Sequence, residues 1–303
     1  MSATPENASM PSTSSPESLQ LNMSRSLWED AWRRLIRGRN GQIGMVIVVI
    51  VMLIAVVTPI VDPYDPSTDS DLTQSRLPPS AQHLFGTDRL GRDVFRRVMH
   101  GTRYSLAVAL ASIIAGSVLS TAIGMIAGYF GGWLDNVLMR IVDALLAFPA
   151  LLLALTISAV LGPNLRNTII AIGVAFTPYL ARIIRGEALR VAQLPFVEAA
   201  RAAGTNNLNM LIRHILPNVM PATIVQGTIS LAFAILAEAG LSFLGLGTQP
   251  PQSSWGLMIQ ASRNYLDISA WTALVPGTAV ALTVLGFNMF GDVLRDILDP
   301  RAK

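Results

Sequence analysis

Residues 190–218 read RVAQLPFVEAARAAGTNNLNMLIRHILPN, and this charged segment, set between two apolar runs, decides how the rest of the chain is read. Pro195 suits the first turn of a helix, where its missing N–H costs nothing. Phe196 to Ala203 continues with good helix formers, and Gly204 fits a terminal position that needs positive φ. The spacing predicts a helix of about two and a half turns, ~13 Å long at about 1.5 Å per residue. Asn206 or Asn207 can cap a second helix. That helix is amphipathic through Leu208, Leu211, Ile212 and Ile215, and Leu216-Pro217 is expected to break it. Ala199, Ala200, Ala202 and Ala203 let another surface approach closely, with Glu198 and Arg201 offering a charge on either side. An ordinary solvated surface helix fits the same pattern.

Outward from this segment, the chain is organised by the distances between charged residues. Residues 40–61, 104–134, 144–165, 214–237 and 268–291 contain no Asp, Glu, Lys or Arg. About 20 apolar residues cross the ~30 Å hydrocarbon core of a bilayer, so each run is long enough. The shorter run 167–181 suffices if Arg182 and Arg185 snorkel to the headgroups. Residues 245–262 are also uncharged, but their Gly, Pro and Gln content reads as a loop. Six spans are expected. Arg25, Arg33, Arg34, Arg37 and Arg39 precede the first and place the N-terminus in the cytoplasm. Six crossings return the C-terminus to that side and make 190–218 cytoplasmic. Residues 62–103, with six Asp and six Arg, then lie outside.

Composition agrees. Of 303 residues 51% are apolar and only 14% charged, well under the roughly one-quarter charged of soluble domains. With no cysteine, disulfide scaffolds, Cys-ligated zinc, iron–sulfur clusters and thiol nucleophiles are excluded. The single lysine, Lys303, sits in no Gly-rich turn, so the chain carries no P-loop of its own. No basic patch with interleaved aromatics suggests nucleic acid. The Ser/Pro/Thr-rich first residues are expected to be disordered. The run from Ile43 is too long for a cleavable signal.

Glu198-Ala199-Ala200, Gly204 three residues after Arg201, and Ile215-Leu216-Pro217 together resemble the EAA signature of permease subunits in ATP-binding-cassette (ABC) importers. The resemblance implies an all-α membrane protein with six transmembrane helices, the type I ABC importer permease fold, and a cytoplasmic coupling helix seated in a cleft of a separate ATPase. It assigns ATPase coupling to Glu198, Ala199, Ala200, Arg201, Gly204, Ile215, Leu216 and Pro217. It implies a transport subunit and not an enzyme, with no cofactor bound directly; ATP and Mg are used by partners. Those partners are a second permease subunit in a heterodimer, two P-loop ATPase subunits and an extracytoplasmic substrate-binding protein, all at the inner membrane. Thr205-Asn206-Asn207 departs from the Ser and acidic residue common after the turn, while keeping the cap.

HLFGTDRLGRD over 83–93, MRIVDALLAFP over 139–149, EAGLSFLGLG over 238–247 and PPQSSWG over 250–256 resemble the second permease subunit of dipeptide and oligopeptide importers. Nickel and glutathione importers share these motifs, so cargo stays open. Asp88 and Asp93 can pair with Arg89, Arg92, Arg96 or Arg97, holding an external loop that ends in a surface helix. Two further acids are candidates for the translocation pathway. Glu238 lies in an apolar run where ionisation costs about 2.5–3.5 kcal/mol, so it either faces the path or is hydrogen-bonded between helices. Asp143 follows Arg140 at helix-neighbour spacing and reads as its structural partner. Trp255 and Trp271 read as interfacial anchors. Gly124, Gly128 and Gly132 form a stripe for close helix packing.

The expected organisation is a disordered, then basic segment 1–40, a first span 41–61, an external loop 62–103, a permease core 104–296 containing the coupling loop 187–217, and a cytoplasmic tail 297–303. Two other classes are weaker. An ion-coupled secondary transporter would show repeats and paired midplane charges. An intramembrane hydrolase would need a Ser–His pair, yet His83, His100 and His214 lie outside the spans or at their ends.

Overall fold

The computed structural model describes residues 39–64 and 69–298, which are helices joined by loops. The expected disordered start, the arginines before Arg39 and the tail from 299 onward lie outside the described residues. The helices are α1 (Arg39–Val61), α2 (Val94–Phe130), α3 (Gly132–Leu146), α4 (Ala150–Leu161), α5 (Leu165–Ala192), α6 (Pro195–Ala202), α7 (Asn207–Phe243), α8 (Trp255–Ser262) and α9 (Trp271–Leu298). Five of them, α1, α2, α5, α7 and α9, are long and apolar enough to cross a membrane, and the pair α3–α4 makes the sixth crossing if taken as one.

That pair is bent by 89°. The apolar run 144–165 is therefore not the straight span its length suggested. Pro149 lacks an N–H, itself takes an extended ψ of 131°, and disfavours the α region at the residue before it, so the helix stops at Leu146 and restarts at Ala150.

Helix α2 packs along α5 over most of its length. A Cβ on Gly124 would lie 2.8 Å from the Ala181 carbonyl oxygen, and one on Gly128 would lie 2.7 Å from Ala188 Cβ. These glycines let the two backbones touch. Gly132 does not join them, because α2 ends at Phe130 and Gly132 faces open space; Gly116 does, against Gly173.

Two cores result. One joins α2, α5, α7 and α8 through Val94, Leu106, Ile172, Ile235, Leu241 and Trp255. The other, at the far end of the bundle, comprises Met125, Leu180, Ile184, Val191, Val197, Met210 and Ile215.

Residues 245–262, read as a loop, contain α8, whose N-cap Ser254 accepts from the Leu257 N–H. Trp255 is accordingly not an interfacial anchor: it is 2% exposed and donates from Nε1 to the Val98 carbonyl at 3.1 Å. Trp271 is half-buried, with Nε1 directed at the Thr87 carbonyl.

The helix that ends the loop, from Val94 onward, is continuous with the second span. Helix α2 is one rod of 37 residues, ~55 Å long at about 1.5 Å per residue, and its first turns overshoot a ~30 Å core. Asp93 caps it and pairs with His83 rather than with a neighbouring arginine. Arg96 reaches Asp62 and Asp69, and Asp88 takes Arg92 and Arg97.

Candidate coupling site

The segment between α5 and α7 is built from both of its ends. Leu194 is extended, Pro195 opens α6, and the helix lasts eight residues. At its end Gly204 adopts φ +81°, its N–H donating to the Arg201 carbonyl at 3.0 Å, while the Thr205 N–H donates to the Ala200 carbonyl at 3.1 Å. This pair of bonds is a Schellman stop, which leaves few orphan carbonyls at the helix end. Asn206 then caps the next helix, accepting from the Asn209 N–H at 2.8 Å.

Leu216-Pro217 does not break that helix. The chain widens into a π-helical turn over Met210–Ile215, where the Leu216 N–H donates to the Leu211 carbonyl, and α7 continues to Phe243. The extra residue in the turn accommodates Pro217, which has no N–H to give.

One face of α6 is fixed and the other is free. Val197, Met210 and Ile215 are fully buried against Leu180, Ile184 and Val191. Tyr129, at the end of α2, donates to Asn207 Oδ1 at 2.8 Å, and the Arg201 guanidinium lies 5.6 Å from its ring centroid. Glu198, Ala199, Arg201 and Gly204 are exposed, as are Phe196, Leu208 and Ile212. Ala200 and Leu216 are half-buried and Pro217 is exposed. The residues assigned to coupling therefore divide into a presented face and, with Ile215, a clamp. Val197, the residue that seats α6, was not singled out from the sequence, though its place between exposed neighbours at helical spacing marks the inner face.

The two acids lie elsewhere. Asp143 on α3 pairs with Arg182 on α5, and not with Arg140; both partners are more than half exposed. Nearby, Asp135 forms a two-bonded pair with Arg185, a contact across 50 residues that spacing within a helix could not reveal. Glu238 is fully buried at the opposite end of α7 from α6. Ser242 Oγ donates to Glu238 Oε1 at 2.7 Å, and the hydroxyls of Ser105, Thr248 and Ser254 surround the carboxyl. Ser105 and Ser242 in turn accept the Trp255 and Thr248 N–H groups. Glu238 thus ties α7 to α2 and to the segment before α8.

Among the described residues no group of His, Asp and Glu is disposed to hold a metal. An all-helical bundle with apolar crossings and a docked, outward-facing amphipathic loop is the architecture of a membrane permease subunit. The chain belongs to the family of binding-protein-dependent transport system inner membrane components, which matches residues 120–303. Residues 26–79 match the N-terminal TM domain of oligopeptide transport permease C.

Among curated relatives, the glutathione transport system permease protein GsiD of Pectobacterium atrosepticum is 39% identical, over 92% of this chain and 93% of its own. The dipeptide transport system permease protein DppC of Alkalihalophilus pseudofirmus is 46% identical over 74% of each. A putative peptide transport system permease protein of Brucella suis is 43% identical over 89% of this chain and 91% of its own. In fold, the chain is similar to a chain of the inward-facing MetNI methionine ABC transporter, with TM-score 0.54 and 20% identity over 67% of this chain and 97% of that one. The fold is the type I ABC importer permease fold.

Proposed function

We propose that this permease moves dipeptides or oligopeptides inward as one half of a heterodimeric pathway, and that α6 transmits the motion of an ATPase to the bundle. The observation that carries the second part is the division of α6 into a clamped and a presented face. Val197 and Ile215 hold the helix to α5 and α7, while Glu198, Ala199 and Arg201 are left to a partner. A helix resting on the surface through exposed contacts would slip under load; one clamped by a close-packed buried core moves its bundle with it. In this reading α6 and both termini are cytoplasmic, supported by the arginines before α1. Two P-loop subunits bind and hydrolyse ATP with Mg, a second permease completes the path, and an extracytoplasmic receptor delivers cargo to the face opposite α6.

Peptide as cargo is supported by the names of the DppC and Brucella relatives. Glutathione is the second reading, favoured by the relative that aligns over most of both chains. Nickel chelates share the sequence motifs and form a third. The test is reconstitution of the permease with its partner subunits and receptor in proteoliposomes, with ATP-driven uptake of di-, tri- and pentapeptides and of glutathione measured side by side. Uptake of peptides without added ATP, driven by an ion gradient, would refute the coupling reading.

A further inference from the structure

The face opposite α6 holds an arginine-lined cavity that the transport reading does not use. Arg92 and Arg97 are 12% and 4% exposed, and they share one carboxylate, Asp88, itself 8% exposed. Arg97 Nη1 and Arg92 Nη2 lie 2.5 Å and 2.8 Å from the same oxygen, Asp88 Oδ2. The other oxygen, Oδ1, accepts the Leu90 and Arg92 N–H groups at 2.8 Å and 3.0 Å. The carboxylate is saturated. What remains of Arg97's polar surroundings is neutral: Ser253 Oγ lies 3.4 Å from Nε, and burial pushes the Tyr64 phenol above its ordinary range. Two buried cations against one anion leave a positive charge uncompensated, a state proteins avoid unless a further anion arrives.

The same cavity, of about 320 Å³, is walled by Arg89 and Arg263, and neither has a carboxylate within ion-pair distance among the described residues. Beside these four guanidiniums stand the carboxamides of Gln252, Gln260 and Asn264. Arginine forks suit carboxylate and phosphate alike. Carboxamides both donate and accept: a phosphate engages only their N–H groups, whereas the peptide unit next to a terminal carboxylate engages both halves, its N–H meeting a carboxamide oxygen and its C=O a carboxamide N–H.

We propose that this cavity binds a peptide carboxylate, the guanidiniums taking the charged end and the carboxamides the adjoining backbone. The inference rests on the peptide reading above. The carboxylate is the free C-terminus of the cargo.

The test uses the complete transporter with its receptor in proteoliposomes, and trialanine and trialanine amide as probes. Arg89→Gln/Arg263→Gln is the variant, because both side chains are exposed and without ion pairs, so folding is spared. The wild type should take up the free acid faster than the amide, and the variant should lose tenfold or more in acid uptake and little in amide uptake, since each charge-assisted hydrogen bond accounts for about tenfold. Receptor affinity for the transporter is read in the same preparation. An unchanged acid-to-amide ratio with about tenfold weaker receptor binding would overturn the cargo assignment and make the cavity a contact for an acidic residue of the receptor. Unchanged ratio and unchanged receptor affinity overturn it. So does a defect that appears only in anionic phospholipid, which would make the ligand a lipid phosphate. A wild type that carries neither probe refutes the peptide reading itself, a failure distinct from a loss of acid preference in the variant.

Discussion

Substitution of Gly204 isolates the backbone geometry that ends α6. Its φ is +81°, and a Cβ added there meets nothing within 4 Å, so replacement brings no clash and acts through the backbone alone. A side chain in the left-handed region costs roughly 1–2 kcal/mol, which shifts a conformational equilibrium about five- to thirtyfold. Asn tolerates this region, Ala less, and β-branched Val least. The expected order of uptake per ATP hydrolysed, in proteoliposomes containing all subunits, is Gly first, then Gly204→Asn, Gly204→Ala and Gly204→Val. Thermal unfolding of the bundle should change little across the series, because the strain is relieved by opening the end of α6, which belongs to neither core. Side-chain bulk would give another order, with Ala ahead of Asn. An Asn variant that couples worse than the Ala variant would refute the reasoning and mean that the partner packs against this position directly.

Three further outcomes are expected. Val197→Ala should loosen the seat of α6 by roughly 2 kcal/mol, from about 0.8 kcal/mol per buried CH₂ plus the cavity, and hydrogen exchange across residues 195–202 should quicken while α5 stays protected. Burial acts to raise the Asp88 carboxyl, but Arg97 and Arg92 overcome it and hold the group below its ordinary value. A depressed carboxylate contributes stability that is present above its unfolded pKa of about 3.9 and is lost as pH falls through the folded one. Limited proteolysis of the segment 69–93 should therefore show it intact down to about pH 4 and opening only below, and Asp88→Asn should open it at every pH. Glu238→Gln should preserve the hydrogen bond with Ser242 and leave melting near wild type, whereas Glu238→Leu, which strands the buried hydroxyl of Ser242, should cost about 1–3 kcal/mol.

The sequence made legible what depends on length and local chemistry. Charge-free runs located the crossings, and Pro195 and Gly204 bounded α6 because each residue constrains its own φ. What depends on distant neighbours stayed hidden. Asp143 looked paired with Arg140, three residues away, but its partner is Arg182, brought up by a second helix. Trp255 looked like a lipid anchor because Trp is common at interfaces; the carbonyl that receives its N–H lies 157 residues earlier. The bend at Phe148-Pro149 was visible as a proline, yet counting uncharged residues measures whether a run can span and not whether it is straight. The same limit hid the π-helical turn before Pro217, where one widened turn replaced an expected break.

Helix α2 carries Arg97 near its start and Tyr129 near its end, the first on the arginine cavity and the second against Asn207 and Arg201. Between them the glycines at 116, 124 and 128 meet α5 backbone to backbone. One residue inserted in this stretch would turn one end against the other by about 100°, since a helix has about 3.6 residues per turn. Either the glycines or Tyr129 would then face the wrong way. The number of residues from Arg97 to Tyr129 is thus as tightly set as their identity.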